Sequence, residues 1–285
     1  MIPYFDAHCD SLTAALDSGV PLDSDTLAAR LDAGTFSKRE QIYAVYGDSN
    51  QKELSGLLER AAALFVKSDK RPKGCLAIEG AEVIGCDPMR LKSAYEMGVR
   101  VTGITWNHAN VLSGSCMEDT RRGLSEVGEE YLERALELGM FIDISHLSDS
   151  GAGSVISRAS GRVLASHSNS RTVCASPRNL SDYLYLRLVE AGGMCGINLY
   201  TPFLKSRGQA TVADVVAHIR YLAGLSGSVA NLCLGCDFDG CDRLPRGIGS
   251  AADLPLLYDA MIESGFSKQQ TDDIFYNNLY NFMRR

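Results

Sequence analysis

Apolar stretches of this chain end repeatedly on residues that can ligate a cation or move a proton. One closes on His8-Cys9-Asp10, another on Ile78-Glu79-Gly80, and a third on Ile144-Ser145-His146. Two more close on Ser166-His167-Ser168 and on Cys236-Asp237-Phe238-Asp239-Gly240. In an extended chain His8 and Asp10 face the same side, so both can reach one ion. The chain has five histidines, and three of them stand at these ends. A single histidine so placed is more often just hydrogen bonded. Three histidines and three carboxylates at one rim are harder to set aside, because buried carboxylates repel one another unless cations neutralise them.

Imidazole and carboxylate ligands without thiolate suit Zn²⁺, with Mn²⁺, Co²⁺ and Fe²⁺ as alternatives. His8, Asp10, Glu79, His146 and His167 make more ligands than one tetrahedral zinc needs. They suffice for two divalent ions if a carboxylate bridges, and Glu79 is the natural bridge. No lysine stands at a strand end to bridge in its place. Two ions about 3.5–4 Å apart can hold a shared hydroxide and polarise a carbonyl, which is hydrolysis chemistry. Weaker signals read otherwise. Glu82 competes with Glu79 but lies past its strand, and Asp239 and Asp242 read as caps of the last loop. Gly151-Ala-Gly153 reads as a helix start, since Ile156 occupies the third glycine position of a dinucleotide loop. No Gly-x-Ser-x-Gly elbow occurs, so the serines beside His146 and His167 read as supports.

The elements that must position these residues alternate from end to end. Apolar runs predict strands at 3–8, 41–46, 74–79, 101–106, 140–145, 162–167, 194–199 and 231–237. Helical patterns fall at 22–33, 51–68, 88–97, 123–138, 149–158, 180–191, 211–224 and 252–263, with a last one at 267–283. The clearest, 123–138, aligns Leu124, Val127, Tyr131, Leu132, Ala135 and Leu138 before Gly139 stops it. Eight strand–helix units without a linker predict an α/β fold, a (β/α)8 TIM barrel over 1–285 with a C-terminal helix. Long loops after the strands and short returns mark the C-terminal rim as the working face.

Bulk properties exclude several alternatives. A net charge of −7 with no basic cluster argues against a nucleic-acid partner. The N-terminus lacks a signal-peptide pattern and no apolar run is long enough to span a membrane, which predicts a soluble cytoplasmic protein. Nine cysteines are scattered through apolar runs and read as reduced core residues. The pair Cys233 and Cys236 would point to opposite faces of a strand, and no second pair accompanies it.

Further motifs are spread between these ends. They include Gly103-Ile-Thr-Trp-Asn107, Gly139-Met-Phe-Ile-Asp-Ile-Ser-His146-Leu-Ser-Asp149, Arg178-Asn179 followed by Asp182, and Asn278-Leu279. As an ordered set with Asp6-Ala-His8-Cys-Asp10 and Gly235-Cys-Asp237-Phe-Asp-Gly240, they resemble the renal (membrane) dipeptidase family, peptidase family M19 of the amidohydrolase superfamily. The resemblance implies that His8 and Asp10 hold one metal, His146 and His167 the other, and Glu79 both. It implies that Arg178 grips a substrate carboxylate, with Arg171 as a second candidate, and that Asp237 carries the proton to the leaving amine. One position departs from it. Dipeptidases of the family place a histidine at Trp106 to help stabilise the oxyanion; an indole offers one neutral N–H, and His108 is the nearby alternative. The expected substrate is a small dipeptide with a free C-terminal carboxylate, with tolerance of a D-residue there. The rival readings are hydrolysis of another small amide, ester or lactam, and a metal-binding protein weakened in catalysis by the Trp106 change. A homodimer is expected by family analogy alone.

Overall fold

Eight strands pair in chain order and close on themselves in a computed structural model that describes residues 1–29, 34–48, 54–68 and 72–285. They are β1 (Ile2–Cys9), β2 (Phe36–Tyr46), β3 (Lys73–Glu79) and β4 (Val99–Gly103). The circle continues with β5 (Phe141–Asp143), β6 (Val163–Ala165), β7 (Met194–Ile197) and β8 (Leu232–Leu234). Every pairing is parallel, and β8 returns to β1 with Leu234 beside Asp6. Closure leaves no exposed strand edge. This is a (β/α)8 barrel.

Helices fill the returns: α1 (Ser11–Ser18), α2 (Leu57–Lys67), α3 (Leu91–Glu96), α4 (Glu126–Glu137) and α5 (Asp149–Arg158). Then come α6 (Asp182–Glu190), the short α7 (Thr201–Leu204), α8 (Val212–Ser226) and α9 (Leu254–Glu263). Local chemistry sets their ends. Ser125 accepts the Gly128 N–H at 3.1 Å to start α4, and Gly139, at φ 75°, follows its last turn. The stripe of Tyr131, Leu132 and Ala135 is buried against the strands, while Val127 remains exposed.

Two apolar clusters organise the molecule. The outer one lies between strands and helices, and includes Leu12, Leu76, Tyr131, Val155 and Leu254. The inner one fills the barrel with Phe5, Ile42, Val101, Phe141, Leu164 and Met194. Cys233 belongs to the inner cluster and Cys236 to the outer, as residues three apart on a strand should. The C-terminal segment α10 (Lys268–Asp272) and α11 (Asn278–Phe282), joined through a wider π-type turn at Asp273–Asn277, closes the barrel floor. Tyr276, Leu279 and Phe282 enter the inner cluster, and Phe282 packs on Phe141 with ring centroids 4.9 Å apart.

The first return differs from expectation. The described part of the 22–33 segment is turns, not helix, and residues 30–33 lie outside the described residues. Leu22, Leu27 and Ala29 are buried as an apolar stripe would be. The N–H groups of Ala28 and Ala29, however, donate to the Asp239 carboxylate at 2.6 and 3.2 Å. The helix of this unit is instead α1, directly after Asp10, ended by Gly19 at φ 69°. β2 also starts earlier than its apolar run, because its polar beginning packs on the C-terminal segment: Glu40 accepts the Tyr276 hydroxyl at 2.9 Å.

The floor is a packing site remote from the rim, so Phe282→Ala should separate stability from chemistry. Truncating a fully buried phenylalanine costs about 3–5 kcal/mol. Thermal or denaturant melting should show that loss, with the activity per folded molecule retained.

Candidate metal centre and active site

Strand ends bring five potential ligands to one spot at the C-terminal rim. His8 lies within β1, Asp10 just past it, and Glu79 is the last residue of β3. His146 and His167 follow β5 and β6 in the first residues of their loops. Glu79 is the centre. Its Oε1 lies 2.9 Å from His146 Nε2 and 3.5 Å from His167 Nε2, and its Oε2 lies 3.2 Å from His8 Nε2. Asp10 Oδ2 is 3.6 Å from His8 Nε2. Two ligand groups therefore share Glu79: His8 with Asp10, and His146 with His167.

Hydrogen bonds fix the imidazoles so that every Nε2 points inward. Ser166 donates its only hydroxyl proton to Asp143, in a very short contact. Its oxygen is then an acceptor for Nδ1–H of His167 at 2.7 Å and of His8 at 3.3 Å. His146 Nδ1 faces Asn107 Oδ1 at 3.0 Å. With the protons on Nδ1, the Nε2 atoms of His146 and His167 meet lone pair to lone pair at 2.9 Å. That is repulsive unless a cation lies between them. His8 Nε2 and Asp10 Oδ1 are buried with no aligned hydrogen-bond partner. These orphaned atoms fit a pair of divalent cations, and the all-imidazole and carboxylate donor set fits zinc.

Electrostatics point the same way. Burial, then the charge of Glu79, pushes the Asp10 carboxyl up to about 8. Burial opposes charge on His8, yet Glu79 and Asp10 overcome it and hold its proton well above the ordinary imidazole range. His146 is pushed down to about 4 by burial and by Arg178, and His167 falls as well through burial and the His8 charge. The cluster as built calls for positive charge near Glu79 and keeps two imidazoles neutral.

The backbone is forced at two of these positions. His146 has φ 72° and Asp237 φ 62°, a region that non-glycine residues enter at a cost of about 1–3 kcal/mol. Asp237 directs Oδ1 toward the cluster, 4.0 Å from His8 Nε2. Behind the site there is no spare room: a Cβ on Gly196 or Gly235 would lie 1.9 or 1.8 Å from the Ser166 carbonyl oxygen.

A cavity of about 650 Å³ opens above the cluster. Arg178, Asp237, Tyr46, Trp106, Tyr200 and Phe203 are among the residues lining it. Trp106 lies edge-on to Tyr46, 4.8 Å between centroids. Arg178 is 4 % exposed, bonds the His167 carbonyl at 3.2 Å and leaves its Nε buried without a partner. Among the described residues no carboxylate pairs with it. A larger groove, about 950 Å³, lies outside the barrel along α8 and α9 and holds none of these groups.

Other residues singled out from the sequence sit elsewhere. His108 does not line the cavity; it faces Asp48 at 3.7 Å and Glu118 at 3.4 Å. Arg171 is held by both oxygens of Asp149 at 2.7 Å. Asp239, which lines the cavity wall, is a clamp between loops: besides Ala28 and Ala29 it accepts the Ser11 hydroxyl at 2.5 Å. Glu82 is buried on the far side of Gly80, against a different cavity.

Comparison with known proteins places this geometry. The model of the membrane dipeptidase family, peptidase family M19, matches residues 24–285. The chain belongs to this family. An uncharacterised dipeptidase of Schizosaccharomyces pombe is 31% identical over 207 residues, 72% of this chain and 51% of that protein. The dipeptidase aclJ of Aspergillus oryzae is 32% identical over 71% of this chain and 49% of its own length. The chain thus spans about half the length of these curated relatives. In fold it is similar to a metallopeptidase from Rhodobacter sphaeroides solved with a phosphinate mimic of the dipeptide L-Ala-D-Ala. That likeness has a TM-score of 0.86 at 24% identity, covering 100% of this chain and 99% of the other. Among the described residues no helix is long and apolar enough to cross a membrane.

In this M19 member the candidate ligands lean on Asp143 through Ser166, a link that the motifs alone do not give. Asp143 accepts the backbone N–H groups of Ser145 at 2.9 Å and Ser166 at 3.0 Å, as well as the Ser166 hydroxyl. A lone acid inside the apolar run Met140–Ile144 is itself a signal, since a buried carboxylate must find donors.

Ser166→Ala should therefore weaken metal binding without touching a ligand. Loss of such outer contacts lowers metal affinity by about 10–100-fold, measurable by competition with a chromogenic chelator. Metal loading should also release protons, because the Asp10 carboxyl, pushed up to about 8, and the His8 imidazole, whose proton is held well above its usual range, must both lose them to ligate. Affinity should rise between about pH 6 and 8, and calorimetry in two buffers of different ionisation enthalpy should show proton release.

Proposed function

We propose that this chain is a dinuclear metal-dependent dipeptidase acting on small dipeptides with a free C-terminal carboxylate. One observation carries the reading: the cavity that holds the Glu79-centred cluster also holds a buried guanidinium, Arg178, with no carboxylate of its own. A buried cation without a counter-ion is costly, so the site is built to receive an anion. A guanidinium suits a carboxylate, which it can bind through two parallel N–H···O bonds.

His8 and Asp10 would hold one ion, His146 and His167 the other, with Glu79 shared. When bound, two divalent cations, zinc by the donor set, supply Lewis acidity for amide hydrolysis. The chain's own groups do the rest. Arg178 fixes the carboxylate end of the substrate. The wall of Tyr46 and Trp106 shields the opposite side of the cavity from water. The Trp106 indole, whose N–H makes no hydrogen bond among the described residues, can donate to the carbonyl oxygen as it gains charge, without a charge of its own. Asp237 Oδ1 takes the proton from the attacking water and returns it to the nitrogen as the C–N bond breaks. The D-residue in the mimic bound by the Rhodobacter sphaeroides protein makes mixed-chirality dipeptides the first substrates to test.

Screening such dipeptides with zinc-loaded and chelator-treated protein tests the reading directly; no chelator-sensitive turnover would sink it. Asp237→Asn should lower kcat by about 10²–10⁴ while metal content stays at the parent level. Arg178→Lys keeps the charge but loses the paired bonds, so kcat/KM should drop roughly 10- to 150-fold on free dipeptides. On C-terminally amidated analogues the penalty should shrink sharply. Equal losses on both would mean that Arg178 acts through loop order and not through the carboxylate.

A further inference from the structure

We infer that Asn198 is a positioning residue that decides which oxygen of Asp237 handles the proton. The inference rests on the reading of Asp237 given above. A carboxylate free to turn about its last bond presents either oxygen to the reaction. Here Oδ2 is occupied: it accepts Asn198 Nδ2–H at 2.9 Å and faces the Cys241 thiol at 3.3 Å. Oδ1 is left facing the metal-ligand cluster. Only Oδ1 can then exchange a proton with the water and the leaving amine.

Asn198 can serve in this way because its own amide cannot flip. It is fully buried at the end of β7, and its Oδ1 accepts the backbone N–H of Tyr200 at 2.5 Å. That donor demands oxygen, so nitrogen must face Asp237. The main chain of Asn198 is held from the other side by Asn169, which accepts its N–H at 3.2 Å and donates to its carbonyl at 3.0 Å. Asp237 is in turn held at its backbone, with its N–H on the His8 carbonyl at 3.1 Å. The side chain of Asn198 thus runs from a rigid strand end to the one carboxylate of the site that is assigned to proton transfer and not to the metal-ligand set. It is not itself in any candidate ligand group or among the residues lining the cavity.

Two substitutions in the metal-loaded protein separate this from a structural role. Asn198→Ala removes the donor. Asn198→Asp keeps an oxygen for the Tyr200 N–H, so the turn is preserved, but sets a carboxylate against Asp237. Each should lower kcat by about 10- to 100-fold, as expected for a hydrogen bond to a charged group, with KM within about threefold. Metal content should be unchanged. The acid limb of the kcat–pH profile should move to higher pH, because a carboxylate that loses a donor holds its proton more tightly. Parent-like kcat and acid limb in both variants would overturn the inference. So would losses that follow a lowered melting temperature or lost metal, with the limb unmoved. Asp237→Asn measured alongside keeps two failures apart. If that variant is active, the proton-transfer reading itself falls; if it is inactive while both Asn198 variants behave as the parent, only the positioning role falls.

Discussion

Everything at the working face follows from putting one carboxylate where two ligand groups must share it. Glu79 reaches three imidazoles with its two oxygens, and Asp10 and Asp237 stand close behind. That much negative charge in a buried rim is tolerable only with positive charge supplied to it. The rest of the arrangement serves the same need. Nδ1 protons are committed to Ser166 and Asn107 so that the Nε2 atoms face inward, and the two imidazoles nearest Glu79 Oε1 are held neutral.

This constraint explains why the scaffold beneath is so unforgiving. Ser166 links two ligating histidines to Asp143, and its carbonyl is packed against Gly196 and Gly235 from the two following strands. A methyl group on either glycine would displace the serine backbone, and with it the orientation of both rings. Much of the cavity lining, by contrast, comes from loops: Arg178 from the segment after β6, Trp106 from that after β4, Tyr200 and Phe203 from that after β7. Position of the chemistry is set by strands and breadth of the cavity by loops, the division expected of a (β/α)8 barrel.

The barrel, and the candidate ligands at its rim, were legible because their physics is local. Strands buried on both faces are apolar throughout, and a histidine or acid at the end of such a run stands out, as at Ile144-Ser145-His146. The supports were legible only in part: Ser166 reads as one from its place beside His167, but the partner that each support bonds cannot be read that way. Asn198, Ser166 and Asn107 are small polar residues without diagnostic spacing, and their partners lie 39, 23 and 39 residues away in the chain. The first return was misread for a related reason. The apolar spacing of Leu22, Leu27 and Ala29 suits a helix, but Asp239, more than two hundred positions later, takes the N–H groups that a helix would have used. The polar start of β2 likewise becomes a strand only through the C-terminal segment that packs on it.

That C-terminal segment has a consequence for how the molecule comes into being. Tyr276, Leu279 and Phe282 complete an interior that begins with Phe5 on β1, and β1 finds its second neighbour only in β8. A chain still emerging from the ribosome, without these residues, has an open floor and an unpaired first strand. His8 and Asp10 would wait on that strand throughout synthesis, with Asp237 not yet made. The five candidate ligands are all translated by His167, but the circle of strands that fixes their geometry closes only when β8 pairs with β1. That geometry is set late, when residues 268–282 seat beneath strands that were translated first, and tight capture of a cation there would follow that step.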